Sequence, residues 1–171
     1  MQLTCGTGLG PRAFPPRRPC RRSPAAQARL GPVPMMSDDE QRARVEACPV
    51  ARLATLRADG TPRLVPFTFV LLDGRIWSAV DDVKPKSGRT LARLADVDRD
   101  PRVGVLADRY DDDWDRLWWV RIDGTAEVRD AADCPAALDA LVAKYPRYRD
   151  ARPPGPVLVV TPTRWAGWSA R

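Results

Sequence analysis

The most restrictive feature of the sequence is an apolar stretch at residues 61–72 with hydrophobic side chains on both alternating faces. Val65 and Phe67 fall on one face, and Leu64 and Val70 fall on the other. A strand of this kind must be covered on both sides, which a closed or layered sheet provides and a one-sided meander does not. The Asp73-Gly74 pair that follows is the strongest hairpin signal in the chain. The sequence therefore predicts one long strand, a tight turn and a closed antiparallel sheet.

The remaining elements are short strands with a few helices between them. Ser37 and Glu40 form a capping box, which predicts a helix that ends before Pro49. Helical spacing also predicts helices over residues 86–98 and from Pro135 onward. Further strands are predicted at residues 50–56, 75–80, 102–107 and 116–129, with a bulge at Gly124, and a last strand or strand pair at residues 157–161 and 164–168. Six strands in hairpins with helices at the crossovers indicate a mainly β protein, a small antiparallel barrel with satellite helices.

The basic character of the chain comes from its first 34 residues. The formal net charge is +6, and residues 1–34 hold six arginines and no acid, so residues 35–171 are balanced. This segment is also rich in proline and has no hydrophobic period. We interpret residues 1–34 as a disordered tail or as the product of a start codon assigned too far upstream, and residues 35–171 as the folded domain. The charge of that domain gives no reason to expect a nucleic-acid partner.

The sequence lacks the residues that several classes of catalytic and metal-binding site require. The chain has no histidine, which excludes Ser-His-Asp and Cys-His catalysis and the HExxH zinc site. Its four cysteines form no CxxC pair, and a reducing cytoplasm suits them best. No apolar run is long enough to span a membrane, so no membrane partner is expected. The acidic residues 111–113 and 115 lack the glycine of a calcium loop, so we predict a solvated loop and no metal site.

A cationic segment between a strand and a helix is the best candidate for a binding site. It contains Lys84, Lys86, Ser87 and Arg89, and two of the three lysines of the chain lie in it. Free N–H groups at a helix start, a hydroxyl group and cations together suit a phosphate. The alternative is a solvated basic loop.

Tryptophans offer a second kind of binding surface. Trp118 and Trp119 must point to opposite faces of one strand, so at most one of them fills a given cavity. A tryptophan that faces a groove offers a flat surface to a ring-shaped ligand, although a core or interface role is the commoner one. No nucleophile–base pair accompanies these features, and we assign no catalytic residue. The combination favours an enzyme that binds a small-molecule substrate and whose chemistry is supplied by a bound cofactor.

Taken together, several motifs resemble the pyridoxamine 5′-phosphate oxidase-like (PPOX class) split β-barrel family, and more closely its actinobacterial F420-dependent branch. The resemblance covers about residues 38–170. It rests on the order and spacing of residues 50–56, 59–67, 73–74, 84–87, 100–103 and 118–126. It implies a split β-barrel like that of FMN-binding proteins, with six to seven antiparallel strands. It also implies a homodimer with cofactor clefts between the subunits.

The resemblance further assigns residues to the cofactor. It places Lys86, Ser87 and Arg89 on the segment that binds the phosphate of a flavin or deazaflavin, with Lys84 as an alternative phosphate ligand. It places Val65, Pro66 and Thr68 on the strand that lines the ring and Trp119 on the strand beside the cofactor. The chain lacks the C-terminal substrate-binding motif of true pyridoxamine phosphate oxidases, so that reaction is not expected.

The sequence thus predicts a cytoplasmic, dimeric oxidoreductase that transfers hydride between reduced coenzyme F420 and a small organic acceptor. Three alternatives remain open. The first is an FMN-dependent oxidoreductase of the same fold, and the second is a non-enzymatic flavin- or deazaflavin-binding protein. The third is a nucleic-acid binder that uses the basic tail, which requires that the tail exists in the cell.

Overall fold

The computed structural model describes residues 35–81 and 91–170, and within them seven strands form one antiparallel sheet. The strands are β1 (Ala51–Leu56), β2 (Pro62–Phe67), β3 (Val70–Leu72), β4 (Arg75–Ala79), β5 (Arg102–Arg109), β6 (Trp118–Arg129) and β7 (Val157–Ser169). The helices are α1 (Asp38–Ala47), α2 (Ala92–Arg99), α3 (Pro135–Lys144) and α4 (Arg147–Asp150), with short 3₁₀ turns at Trp114–Arg116 and Ala131–Asp133. The mainly β fold class with satellite helices is confirmed.

The sheet curls into a barrel because two consecutive strands lie at its opposite edges. The strand order is β2-β1-β5-β6-β7-β4-β3, and only Thr68 and Phe69 separate the end of β2 from the start of β3. Three Cα–Cα steps span at most about 11 Å, so the two edges must approach each other. The core lies inside this curl, where Leu53, Ile76 and Ile122 are fully buried.

The prediction of one long strand at residues 61–72 is wrong, because the stretch divides between β2 and β3. The break is stabilised by Tyr145, at the end of α3. Its hydroxyl group accepts a hydrogen bond from the Phe69 N–H at 2.9 Å and contacts the Phe69 carbonyl oxygen at 2.8 Å. These contacts satisfy the backbone groups that a continuous ladder would have paired.

The local turn signals are confirmed. Ser37 caps α1, since its Oγ accepts from the Glu40 N–H at 3.2 Å. Asp73 and Gly74 have φ angles of 51° and 72°, which the two-residue turn between β3 and β4 requires. The register between β6 and β7 shifts at the predicted place, between Asp123 and Gly124, although the extra residue lies on β7.

Three other predictions need adjustment. The last segment is a single strand, β7, which contains Thr163, the extra residue of the bulge. The predicted helix at residues 86–98 starts later, because Leu91 has a ψ of 125° and is the N-cap of α2, which begins at Ala92. Residues 82–90 lie outside the described part. The predicted acidic loop is shorter, since Asp108 still belongs to β5.

Residues 1–34 also lie outside the described part, so the interpretation of that segment stays a prediction. Among residues 35–81 and 91–170, no helix is long and apolar enough to cross a membrane.

Candidate functional site

Five strands present a continuous surface that faces away from the core, which we call the outer face. Along β1, Ala51, Leu53 and Thr55 are buried, so the alternate positions point outward. The strand register extends this assignment across β2, β5, β6 and β7. The outer face is formed by Leu64 and Pro66, Arg52 and Ala54, Gly104, Leu106 and Asp108, Trp119 and Arg121, and Ala166 and Trp168.

Two of the residues assigned to the cofactor ring share this face. Pro66 pairs with Arg52 on β1, and Trp119 pairs with Asp108 on β5 and with Trp168 on β7. Three strand spacings of about 4.8 Å separate β2 from β6, and Trp119 lies two residues along β6 from Arg121, the residue in register with Pro66. Pro66 and Trp119 are therefore about 16 Å apart on this face. The predicted opposite orientation of the two adjacent tryptophans is confirmed, because Trp118 packs against the core cluster.

The surface between Pro66 and Trp119 contains an ion pair. Arg52 donates to the Asp108 carboxylate, and both residues point outward from neighbouring strands. Arg52 is largely exposed, so the pair contributes little to the stability of the fold. Its guanidinium group is a cation on the outer face, beside the two residues predicted to contact the ring.

The side chain of Val65 points the other way. Val65 pairs with Leu53, which is fully buried, and packs against the core cluster. Toward the outer face, Val65 therefore presents its backbone rather than its side chain. Pro62 and Pro66 alternate with it along β2, which is an edge strand of the sheet, where prolines are tolerated.

Thr68 belongs to a hydrogen-bonded chain of three side chains. Its hydroxyl oxygen lies 2.9 Å from the Tyr148 hydroxyl group, which also lies 2.9 Å from the Asp81 Oδ2. Tyr148 gives its single proton to the carboxylate, so Thr68 donates to the tyrosine oxygen. Burial raises the pKa of Tyr148, which keeps the phenol protonated as this donor. Thr68 then has only acceptor capacity left, which suits an N–H group of a ligand.

This chain connects β2 to the segment predicted to bind phosphate. Asp81 is the last described residue before residues 82–90, a range that includes Lys84, Lys86, Ser87 and Arg89. Those four predicted ligands therefore lie outside the described residues. The structure does show that Thr68 and the residue that enters their segment are held together through Tyr148.

Arg93 is a further cation at this place, and the sequence reading missed it. It lies in the first turn of α2, soon after the same segment, and interacts electrostatically with Asp81 and Tyr148. Burial lowers the pKa of its guanidinium group. Arginine is so common in this chain that Arg93 did not stand out, and only the fold brings it beside Asp81.

The outer face also contains a shallow cleft of about 260 Å³ near the β1–β2 turn. Its floor is low because Ala54 and Gly104 lie side by side on neighbouring strands. A Cβ atom added at Gly104 would lie 3.8 Å from the Ala54 Cβ, which is ordinary contact. The cleft therefore results from two small residues.

Comparison with known proteins identifies the family. The family model for pyridoxamine 5′-phosphate oxidase matches residues 37–169. The chain belongs to this family. The resemblance inferred from the motifs is thereby confirmed at the level of the family, and its split β-barrel agrees with the curled seven-stranded sheet described above.

Solved structures give the same fold at low sequence identity. A conserved hypothetical protein from Mycobacterium tuberculosis is 23% identical, with a TM-score of 0.65 over 80% of this chain and 86% of that one. An FAD-binding protein from Mesorhizobium loti is 20% identical, with a TM-score of 0.60 over 80% and 97%. An FAD-binding protein from Mycobacterium smegmatis is 22% identical, with a TM-score of 0.52 over 78% and 94%. No curated protein sequence matches the chain significantly.

Proposed function

We propose that the protein is an oxidoreductase that binds a flavin or deazaflavin cofactor on the outer face, with coenzyme F420 as the preferred cofactor. The observation that carries the proposal is the placement of Pro66 and Trp119 on one face, with the Thr68–Tyr148–Asp81 chain two residues beyond Pro66. Membership of the pyridoxamine 5′-phosphate oxidase family and the two FAD-binding structural neighbours support the flavin part.

The residues present fit a planar cofactor that has a phosphate. Trp119 offers an aromatic surface and Thr68 offers an acceptor to a ring N–H group. Lys86, Ser87 and Arg89, with Lys84 as the alternative, would hold the phosphate, and Arg93 adds a cation near Asp81 and Tyr148. A bound flavin or deazaflavin supplies hydride transfer. The chain itself would bind the cofactor, orient its ring and exclude water from one side of it.

We propose that the protein acts as a homodimer through the outer face. Leu64 on β2 is 64% exposed, and Trp119 on β6 and Trp168 on β7 are partly exposed on the same face. An exposed apolar surface of this kind on a small domain is typical of an interface. A second copy packed on this face would enclose the cofactor ring between two subunits. The substrate would be a small organic molecule that accepts the hydride. The proposal includes a cytoplasmic location.

The decisive experiment is an equilibrium titration of the purified protein with coenzyme F420, FMN and FAD. Tightest binding of F420 would support the full proposal, and tightest binding of FMN or FAD would select the flavin-dependent alternative. If none of the three binds below about 100 μM, the proposal is wrong. Reduced cofactor should then be oxidised by an added acceptor, and binding without any turnover would favour the non-enzymatic alternative.

A pair of tryptophan variants locates the binding site. Trp119→Ala removes the ring surface on the outer face, so we expect about tenfold weaker cofactor binding, equivalent to about 1.4 kcal/mol. Trp114→Ala is the matched control, because Trp114 is 78% exposed in the 3₁₀ turn before β6. Equal cofactor affinities of the two variants would show that the cofactor does not bind to this face.

A further inference from the structure

A second surface, between the β1–β2 turn and α2, has the chemistry of an anion-binding site. It is a cleft of about 440 Å³ lined by three arginines, Arg57, Arg63 and Arg99. Its volume lies within the range of small-ligand pockets. The cleft is separate from the outer face, because Arg63 lies on the opposite side of β2 from Leu64.

A buried carboxylate fixes two of these arginines. Asp96 is 4% exposed, and its Oδ2 accepts from Arg63 Nε at 2.6 Å and from Thr55 Oγ1 at 2.9 Å. Arg99 approaches the other oxygen at 3.4 Å. The guanidinium groups are therefore positioned before any ligand arrives, which reduces the entropy lost on binding.

The third arginine is not paired with an acid at hydrogen-bond distance. Arg57 donates to the Thr61 hydroxyl oxygen at 3.2 Å and to the Pro62 carbonyl oxygen at 2.9 Å, both of which are neutral. The nearby Asp59 carboxylate instead accepts from the N–H and hydroxyl groups of Thr61 at 2.9 and 2.6 Å. Among the described residues that line the cleft, three guanidinium groups thus face two carboxylates, which leaves one net positive charge.

The shape of α2 keeps these cations accessible. Ala92 and Ala95 are exposed and line the cleft, and with Arg99 they share one side of the helix. Among the described residues, side chains this small leave the space above them open. Arg63 still has its two terminal nitrogens, for which the described residues provide no hydrogen-bond partner.

We propose that this cleft binds an oxyanion ligand with at least two negative charges, a polycarboxylate or a diphosphate. Arginine is suited to both, because its planar fork pairs with two oxygens at once. The proposal is independent of the cofactor site on the outer face. A negative result for the anion site therefore does not contradict the proposed cofactor site, and the reverse also holds.

Calorimetric titration of the cofactor-free protein with citrate and with inorganic pyrophosphate tests the proposal. We expect saturable binding of at least one probe, with affinity that falls as salt is raised. Tighter binding of citrate would identify a carboxylate ligand, and tighter binding of pyrophosphate a phosphate ligand. Absence of saturable binding of either probe up to about 10 mM would overturn the proposal.

Single substitutions distinguish this cleft from other cationic surfaces. Arg57→Gln should weaken binding of the probe about tenfold, and Arg57→Lys should weaken it less, because the charge is retained without the fork. Arg129→Gln is the matched control, since it removes one partly exposed arginine that pairs with Glu127 on β6. Equal affinities for Arg57→Gln and Arg129→Gln would refute the proposal. The proposal would also be refuted if Lys86→Ala abolished binding of the probe while Arg57→Gln left it unchanged, because the probe would then bind elsewhere.

Discussion

Substitution of Asp96 by asparagine should destabilise the protein more than any other change of a single charge on α2. Asp96 joins α2 to β1 through Thr55 and to β2 through Arg63, and it is nearly fully buried. Asparagine keeps one acceptor oxygen but loses the charge. Two hydrogen bonds of the carboxylate are therefore weakened, and Arg63 loses its counter-ion.

The magnitude follows from the burial of the two partners. Removal of one member of a fully buried ion pair costs about 3–5 kcal/mol. The Arg63 side chain is 26% exposed, so water replaces part of the lost interaction. We therefore expect a loss of about 2–3 kcal/mol in the free energy of unfolding, or about 5–10 °C in Tm for a domain of this size.

The assay is urea unfolding at pH 7 and at fixed protein concentration, with Asp98→Asn as the matched control. Asp98 lies on the same helix and is exposed, so its substitution should change stability by less than about 0.5 kcal/mol. A loss below about 1 kcal/mol for Asp96→Asn would refute the structural role assigned here to this carboxylate.

The pH dependence gives an independent check. The hydrogen bond from Arg63 holds the pKa of Asp96 below its usual value, and Thr55 adds to this against the effect of burial. A carboxyl group with a lowered pKa in the folded state contributes stability above its unfolded pKa of about 4, and that contribution is lost as the pH falls further. The difference between the parent protein and Asp96→Asn should therefore narrow below about pH 4. A constant difference down to pH 2 would contradict this account.

Three further outcomes are expected. Gly124→Ala should cost about 1–3 kcal/mol, because its Cβ would lie 2.4 Å from the Thr161 carbonyl oxygen, whereas Gly104→Ala should be tolerated in thermal unfolding. Lys86→Ala should weaken cofactor binding about ten- to hundredfold at low salt, because a charge-assisted hydrogen bond is lost. Lys84→Ala shows whether the two lysines share the phosphate. Unchanged cofactor affinity in both variants would show that the segment is a solvated loop that does not bind the phosphate. Tyr145→Phe should cost about 1–3 kcal/mol in denaturant unfolding, because Phe69 loses its hydrogen-bond partner at the break between β2 and β3, and a neutral result would assign that break to other contacts.

Features that depend on a few neighbouring residues could be predicted from the sequence. The Ser37 cap, the Asp73-Gly74 turn and the position of the register shift at Gly124 each follow from residues adjacent along the chain, and each is confirmed. The strand that carries the extra residue, Thr163, was not predicted. The opposite orientation of Trp118 and Trp119 follows from the two-residue period of a strand in the same way. The resemblance to the family also predicted the split β-barrel and suggested the candidate cofactor-binding residues.

The tertiary structure decided the features that depend on distant partners. The break at residues 68–69 shows no change in the alternating pattern, and it is stabilised by Tyr145, which lies 76 residues away. Burial of Asp96 is likewise unexpected for a charged helix residue, and it is compensated by Thr55, 41 residues away, and by Arg63, 33 residues away. The sequence alone determines the alternation of side chains along each strand. Which strand ends and which charges meet depends on the closure of the sheet, because that closure sets which polar groups must find partners away from water.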